Sequence, residues 1–305
     1  MRVLITGATG FIGAHLTRLL VRDGISVYAL IRESSSTWRI EDVLQSVHVI
    51  HGDLLDFNGV EGQLKGARPE TCFHLAWHAV PGEYLAGEQN LSMLSASIRL
   101  ASSLAKLQCR KFVATGSCLE YDTDLGYLSE TSPTKPRSLY AASKLSLFQV
   151  LTQFAAGVGM DFLWPRLFYQ YGPYEDQRRL VAYIVSSLLR NQVANITKGE
   201  QMRDFLHVED VASAIWASAQ SDLTGPVNIG SGKPIAVAEI AAKIGEMLGR
   251  SELIGLGVSP IDPKEPMFVC ANNNRLRDKT RWAPRYDMEG GLRQTIDWWK
   301  SYLGV

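Results

Sequence analysis

A tyrosine and a lysine stand four residues apart in the stretch SLYAASKLSLF, residues 138–148. In a helix, positions i and i+4 lie on the same face, so the sequence predicts that Tyr140 and Lys144 share one small volume. A free phenol has a pKa of about 10 and is a poor acid or base near neutrality. A neighbouring ammonium favours the phenolate, so we expect Lys144 to lower the pKa of Tyr140 toward the working range of an acid–base catalyst. Taken alone, this spacing occurs often by chance, and a surface tyrosine beside a solvated lysine explains the pair better.

Composition excludes several classes of protein. The chain has 305 residues, of which 46% are hydrophobic and 20% charged, and its 31 basic residues balance its 31 acidic ones. This balance argues against a broad surface for nucleic acid or an acidic membrane. The four cysteines are scattered without metal-ligand spacing, and no apolar run approaches the length of a membrane span. We therefore predict a cytoplasmic protein with reduced thiols, no nucleic-acid partner and no membrane partner.

Strands and helices alternate along the first half of the chain. Short apolar runs predict strands at RVLIT, SVYALI, VHVIHGD, TCFHLAW and KFVATGS, and longer periodic runs between them predict helices. This alternation is typical of an α/β fold with a doubly wound parallel sheet. We predict a first domain in residues 1–166 and a smaller, loop-rich substrate-binding domain in residues 167–305. Segments near 205–230 are expected to return to the first domain.

A glycine-rich stretch, GATGFIG, joins the first predicted strand to the first helix. Gly7, Gly10 and Gly13 would allow a tight turn, close approach of a pyrophosphate and close helix–strand packing. The spacing is G-x-x-G-x-x-G and not the more general G-x-G-x-x-G. A glycine-rich turn without a ligand is the alternative, but the position at the first strand–helix junction favours dinucleotide binding.

Taken together, the motifs resemble an extended short-chain dehydrogenase/reductase, in the branch of nucleotide-sugar epimerases, dehydratases and 4-ketoreductases. The resemblance covers nearly the whole chain and implies a Rossmann-type first domain and a homodimer. It is carried by motifs that occur in the family's order: TGATGFIG, GDLLD, FHLAW, TGSCLEY, YAASK, PRLFYQYGP, RDFLHVEDVA and VNIGSGKPIAVAEIA.

The resemblance implies roles for individual residues. Tyr140 would exchange a proton with a sugar hydroxyl or carbonyl, Lys144 would hold the nicotinamide ribose, and Ser117 would orient the substrate oxygen. The predicted cofactor contacts are Gly7, Gly10, Phe11, Ile12, Gly13, Arg32, Asp53, Leu54, Leu75, Ala76, Trp77, Tyr140 and Lys144. The predicted substrate contacts are His78, Ser117, Cys118, Tyr169, Arg178, Arg179 and Arg203.

The substrate contacts rest on different arguments. Arg203 falls where the family binds the nucleotide diphosphate, and an arginine fork suits that geometry. A solvated helix start explains Arg178 and Arg179 as well as phosphate binding does. Tyr169 replaces an asparagine that many relatives carry near the substrate. The histidines have no partner carboxylates at metal-ligand spacing, so no metal is predicted.

The end of the second strand bears on the choice of cofactor. NAD-preferring relatives usually carry an acidic residue there, which binds the ribose 2′-hydroxyl. This chain has Ile31 at about that position, followed by Arg32 and then by serines at 34–36. Arg32 would pair with a 2′-phosphate. The sequence therefore favours NADP(H), with NAD(H) possible if Arg32 faces solvent or stacks on adenine.

One departure from the family pattern and one retained set of catalytic residues narrow the range of possible functions. Family dehydratases carry an Asp-Glu pair directly after the catalytic hydroxyl residue, where this chain has Cys118 and Leu119; 4,6-dehydration is therefore not expected. The leading hypothesis is an NADP(H)-dependent 4-ketoreductase acting on a nucleotide-linked 4-keto-6-deoxy sugar. The alternatives are a nucleotide-sugar C4 epimerase with bound NAD and a non-catalytic dinucleotide-sensing protein. Retention of Ser117, Tyr140 and Lys144 together argues against the sensor.

Overall fold

The computed structural model describes residues 1–57, 59–263 and 265–305. The strands are β1 (Arg2–Thr6), β2 (Ser26–Ile31), β3 (His48–His51), β4 (Thr71–His74), β5 (Lys111–Ala114), β6 (Gly116–Ser117), β7 (Tyr127–Leu128), β8 (Asp161–Leu167), β9 (Tyr169–Tyr171), β10 (Ala194–Asn195), β11 (Met202–Arg203), β12 (Phe205–His207), β13 (Gly225–Ile229), β14 (Ile235–Ala236), β15 (Ile254–Gly255) and β16 (Phe268–Ala271). The α-helices are α1 (Phe11–Arg22), α2 (Val60–Ala67), α3 (Gln89–Lys106), α4 (Leu139–Val158), α5 (Leu180–Leu189), α6 (Val208–Gln220), α7 (Val237–Leu248), α8 (Asn274–Thr280) and α9 (Met288–Leu303).

A parallel sheet forms the centre of the molecule. Its strand order is β13-β8-β5-β4-β1-β2-β3, and β6 also pairs with β8. The chain winds outward from β1 to β3 and then crosses back to β4, so the strand order reverses between β1 and β4. In open α/β sheets, ligands bind beyond the carboxyl ends of the strands at such a point. The predicted Rossmann-type α/β fold is confirmed.

Helices cover both faces of the sheet because each carries an apolar stripe at helical spacing. On one face, α1 packs against α6, and Leu16 and Leu20 of α1 are fully buried. On the other face, α3 packs against α4, with Leu100, Leu104 and Leu147 buried between them and the sheet. Packing in these two helix layers fixes the positions of the first turn of α1 and of the sheet-facing side of α4 at the same edge of the sheet.

The second half of the chain builds another core and also contributes to the first. Helices α5, α7 and α9 surround a cluster that includes Leu188, Ile244 and Trp299. By contrast, α6 packs on α1, and β13 pairs with β8 in the central sheet. The domain boundary after residue 166 stays a prediction. Within the described ranges, the helices are too short or too polar to span a bilayer.

Candidate active site

The glycine loop lies between the end of β1 and the start of α1. Gly7 has a φ of +76°, and a Cβ there would lie 2.7 Å from the backbone nitrogen of Ala76. A methyl group at Gly13 would collide with the Gly7 carbonyl oxygen. Gly10 is the N-cap of α1, so the amide groups of the first helical turn lie beside glycines that leave room for a ligand. This cradle fits the pyrophosphate of a dinucleotide.

The residues predicted for the adenosine half of the cofactor lie at the ends of β2 and β3. Arg32 follows β2, is exposed, and donates from Nε to Ser35 Oγ at 3.3 Å. Asp53 follows β3 and accepts the backbone N–H of Leu55 at 2.9 Å, while Leu54 is buried. A cavity of about 300 Å³ is lined by Leu54, Leu55, Ser92, Ser95, Ala96 and Arg99. Its α3 side chains were missed by the sequence analysis because that helix carries no motif.

The nicotinamide half of the predicted site lies where β1, β4 and α3 meet. His74 ties these elements together, because its Nδ1 lies 2.7 Å from Thr6 Oγ1 and its Nε2 lies 2.7 Å from Ser97 Oγ. Burial, together with the charge of Lys144, lowers the pKa of His74 to about 3, so the imidazole is neutral. The predicted contacts at this edge are Phe11 and Ile12, which begin α1, and Leu75, Ala76 and Trp77, which follow β4.

The structure brings the three predicted catalytic side chains together. Ser117 ends β6, and its hydroxyl forms a hydrogen bond with Tyr140 on α4. One turn along α4, the Lys144 ammonium donates to the Thr115 carbonyl oxygen at 2.8 Å. The same ammonium lies 5.9 Å from the Tyr140 ring centre and 3.9 Å from the Trp77 ring centre. Tyr140 and Lys144 thus share one buried volume.

The charge states of the pair differ from the sequence-based expectation. Burial raises the pKa of Tyr140 above its ordinary value, helped by the charges of Tyr84 and Glu120, and the hydrogen bond with Ser117 offsets this only in part. The prediction that Lys144 lowers this pKa is therefore wrong for this structure, since desolvation dominates. Burial also lowers the pKa of Lys144 to about 7, against the attraction of Glu120. At neutral pH the phenol is therefore protonated.

Glu120 holds the backbone at Ser117, a predicted catalytic residue, and was missed by the sequence analysis. It is fully buried, and its Oε1 accepts the Ser117 backbone N–H at 2.7 Å. Trp164 Nε1 and Arg166 Nε donate to Oε2 at 3.0 and 2.8 Å. A buried carboxylate needs such partners. The only sequence signal was its place three residues after Ser117, which matches a capping box.

Residues 77–90, hereafter the strap segment, pass beside the catalytic helix. The ring of Tyr84 meets the ring of Tyr140 edge-on, with centres 5.0 Å apart. His78, a predicted substrate contact, is half-buried, and its Nε2 lies 3.6 Å from Glu83 Oε2. Neither Tyr84 nor Asn90 was singled out from the sequence, because neither belongs to a recognisable motif.

The two predicted arginines after YGPYEDQ face different surroundings. The Arg179 guanidinium lies 5.1 Å from the Tyr84 ring centre, and its Nη2 donates to the Ala79 carbonyl at 3.2 Å. Arg178 is exposed and forms an ion pair with Asp176 at 2.7 Å. The structure therefore brings Arg179 to the strap segment and leaves Arg178 at the surface.

The remaining predicted substrate residues form one cluster. The Arg203 guanidinium is buried and lies 5.4 Å from the Tyr169 ring centre. Its Nη2 forms an ion pair with Glu265 Oε1 at 2.6 Å. Burial raises the pKa of the Cys118 thiol to about 12, with the charge of Glu120 adding to the rise and that of Arg203 opposing it. Cys118 is therefore an uncharged thiol and not a reactive thiolate.

The chain is similar to known proteins over almost its full length. Residues 3–230 match the model of the "NAD dependent epimerase/dehydratase family". UDP-glucuronic acid decarboxylase 1 of Arabidopsis thaliana is 23% identical, with 97% of this chain and 69% of that protein covered. UDP-glucose 4-epimerase from Thermotoga maritima, solved with UDP-glucose, superposes with a TM-score of 0.90 at 24% identity and covers 99% of this chain and 100% of its own.

A further solved structure has a higher sequence identity. UDP-N-acetylglucosamine 4-epimerase from Methanobrevibacter ruminantium M1, in complex with UDP-N-acetylmuramic acid, superposes with a TM-score of 0.89 at 28% identity. The alignment covers 99% of this chain and 98% of that one. The family match spans the glycine cradle and the three predicted catalytic side chains described above. The predicted resemblance is confirmed, and the chain belongs to the NAD dependent epimerase/dehydratase family.

Proposed function

We propose that the protein is a 4-ketoreductase that acts on a nucleotide-linked 4-keto-6-deoxy sugar. The observation that carries this proposal is the protonated Tyr140, buried beside the Ser117 hydroxyl with the Lys144 ammonium one helical turn away. A reductase needs an acid that gives a proton to the carbonyl oxygen while the carbonyl carbon accepts a hydride. A phenol is protonated at neutral pH and therefore begins in the required form.

The division of work at the site follows from these positions. The reduced nicotinamide supplies the hydride when it is bound. Ser117 hydrogen-bonds the sugar oxygen and holds it toward Tyr140, whose phenolic proton completes the new hydroxyl group. Lys144, when protonated, favours the phenolate that Tyr140 leaves behind. Together these three side chains position the sugar oxygen and protonate it.

Water elimination fits the site poorly. It needs an acid and a base near the sugar, and the two residues that follow Ser117 are Cys118 and Leu119. The Cys118 thiol has a pKa of about 12, and leucine has no ionisable group. This supports a reaction that ends after hydride and proton transfer.

We assign NADP(H) as the preferred cofactor, with NAD(H) also accepted. Arg32 is exposed directly after β2, and Ser35 lies within hydrogen-bond distance of its guanidinium. A guanidinium and a hydroxyl suit a 2′-phosphate better than a 2′-hydroxyl. Net consumption of an exchangeable NADPH also suits a reductase, whereas an epimerase recycles the cofactor that it keeps bound.

A nucleotide-sugar C4 epimerase with retained NAD is the second candidate. It is supported by the 28% identity and full-length superposition with UDP-N-acetylglucosamine 4-epimerase. Epimerisation begins with oxidation of the sugar, so Tyr140 would act first as a base. The exposed Arg32 beside Ser35 favours an exchangeable NADP(H) over a retained NAD, and therefore favours the reductase.

We assign the substrate's diphosphate to Arg203. Its guanidinium is buried next to Tyr169, so it is a preorganised fork for phosphate oxygens. Glu265 occupies that fork through an ion pair and would have to be displaced by the diphosphate. His78 lies in the strap segment and Arg179 contacts it, so both would face the same substrate.

We also propose a homodimer built on α3 and α4. These helices pack against one another and expose the apolar side chains Leu91, Val150 and Val158, which are 54%, 45% and 50% exposed. A second copy that presents the same helices would cover such a face isologously. Sedimentation equilibrium of the wild type and of Val150→Glu tests this, with dissociation of the variant expected.

The testing experiment starts with the cofactor. The purified protein is denatured and any released dinucleotide identified, and NADPH and NADH are then titrated into the protein. Tight, exchangeable NADPH followed by its oxidation with a nucleotide-linked 4-keto-6-deoxy sugar supports the reductase. Retained NAD and interconversion of C4 epimers would replace it with the second candidate. Tyr140→Phe should lose most of the turnover while the exposed Tyr127→Phe keeps it.

A further inference from the structure

We propose that Trp77 is a positioning residue that holds the Lys144 ammonium through the face of its indole ring, and that Asn90 fixes this ring in place. The catalytic consequence rests on the proposed function, whereas the contact itself does not. Nothing in the family resemblance assigns this task to Trp77, which was predicted only to contact the cofactor.

The geometry between the two side chains is that of a cation–π contact. Lys144 Nζ lies 3.9 Å from the Trp77 ring centre, well within the limit of about 6 Å for such contacts. Lys144 is 4% exposed, so its ammonium is removed from bulk water. Tryptophan presents the strongest face for a cation, and the attraction grows when the cation is desolvated. The indole thus supplies part of the stabilisation that water would otherwise give.

The indole is itself held in a fixed orientation. Its Nε1 donates to Asn90 Oδ1 at 2.8 Å, and Asn90 is fully buried. Asn90 Nδ2 donates to the carbonyl oxygens of Tyr84 and Gly87 at 2.7 and 2.8 Å. The buried amide therefore uses its acceptor and both of its donor hydrogens. A side chain tied in this way locks the ring plane that faces Lys144.

The strap segment contacts both members of the catalytic pair. Besides the Lys144 contact, the rings of Trp77 and Tyr84 meet Tyr140 edge-on at 6.4 and 5.0 Å. The Tyr140 backbone N–H donates to the Leu85 carbonyl at 3.1 Å. The segment therefore sets the position of α4's first turn together with the ammonium one turn later.

Other titratable groups also face Lys144 and affect its expected titration midpoint. Glu120, from the turn after β6, attracts the ammonium, and Tyr140, on the same helix, is a protonated phenol. His74, from β4, is neutral and adds no competing charge. Removing the indole face takes one stabilising partner from the ammonium and leaves Glu120 in place. The titration midpoint of Lys144 should therefore fall by about one pH unit.

The test follows the titration of Lys144 in the cofactor-free protein. Lysine labelled with ¹³C at Cε is incorporated, and the Lys144 signal is identified by its loss in Lys144→Met. The variants are Trp77→Leu, which removes the π face, Trp77→Phe, which keeps a weaker one, and Asn90→Ala, which frees the indole. Trp282→Leu is the matched control, because that indole also donates to a side-chain oxygen, Ser213 Oγ at 2.9 Å, away from the lysine.

A lower midpoint in Trp77→Leu, partial recovery in Trp77→Phe and no change in Trp282→Leu are expected. Asn90→Ala should lower the midpoint by less than Trp77→Leu. An unchanged midpoint in Trp77→Leu would overturn the proposal, and so would a higher one, since the indole would then only exclude water. The readout needs no turnover, so an inactive protein would count against the proposed function and not against this contact.

Discussion

Replacing Glu120 by glutamine should destabilise the protein more than any single surface change. Glu120 is fully buried and accepts hydrogen bonds from Ser117, Trp164 and Arg166. Glutamine keeps the shape of the side chain but loses its charge. It also places an NH2 group where one carboxylate oxygen now accepts, so a donor faces a donor.

The expected magnitude follows from what each partner loses. Arg166 is 2% exposed and lies 2.8 Å from the carboxylate, so Glu120→Gln leaves a buried guanidinium without its counter-charge. Breaking a buried ion pair from one side costs about 3–5 kcal/mol. The donor that would face the new NH2 group belongs to the same hydrogen-bond network as Arg166. The stability lost at that donor is therefore already included in the cost of breaking the ion pair. We therefore expect a loss of about 3–5 kcal/mol in the free energy of unfolding.

Urea unfolding at pH 7, followed by far-UV circular dichroism, measures this loss without relying on the fluorescence of Trp164. The matched control is Glu289→Gln, which removes the charge from an exposed i,i+4 pair with Arg293. Such a pair contributes little, so the control should match the wild type. If Glu120→Gln lost less than about 1 kcal/mol at an unchanged denaturant slope, the assigned network would be wrong.

Three further predictions concern charge and space. The folded pKa of Lys144 is about 7 and its ordinary value is 10.5, so between these pH values the unfolded chain binds more protons and the wild type gains stability as pH rises. In urea unfolding, Lys144→Met should therefore exceed the wild type in stability most at pH 7 and below, and less toward pH 10. A stability difference that stays constant with pH would contradict this. Gly13→Ala should abolish dinucleotide binding in titrations because its methyl group meets a backbone carbonyl, whereas Gly157→Ala, whose methyl meets open space, should bind normally. Glu265→Gln should tighten calorimetric binding of UDP roughly tenfold by freeing Arg203, and weaker binding would refute the assignment of the diphosphate.

The parts of the fold and site that the sequence predicts are those encoded locally. An apolar run ended by Gly7 predicts β1, and the following glycines predict the turn into α1 with its backbone cradle. The i,i+4 spacing places Tyr140 and Lys144 on one face before any tertiary contact is known. Such features depend on a few neighbouring residues, so pattern and chemistry are sufficient to find them.

The parts that sequence reasoning missed depend on partners far along the chain. Glu120 accepts from Arg166, 46 positions away, and Arg203 pairs with Glu265, 62 positions away. The predicted direction of the shift in the Tyr140 pKa was wrong for the same reason. A helical spacing reveals the nearby cation but not the burial that outweighs it.

Two supports hold the predicted catalytic side chains, and they predict different losses of stability. Glu120 fixes the backbone at Ser117 from the turn after β6, while Trp77 faces the Lys144 ammonium from the strap segment. Glu120→Gln should therefore lower global stability, and it should also lower the Lys144 midpoint because the carboxylate attracts the ammonium. Trp77→Leu should lower that midpoint with a smaller loss of stability. If both variants lost stability alike, the site would be one coupled network in which position and charge cannot be assigned to separate residues.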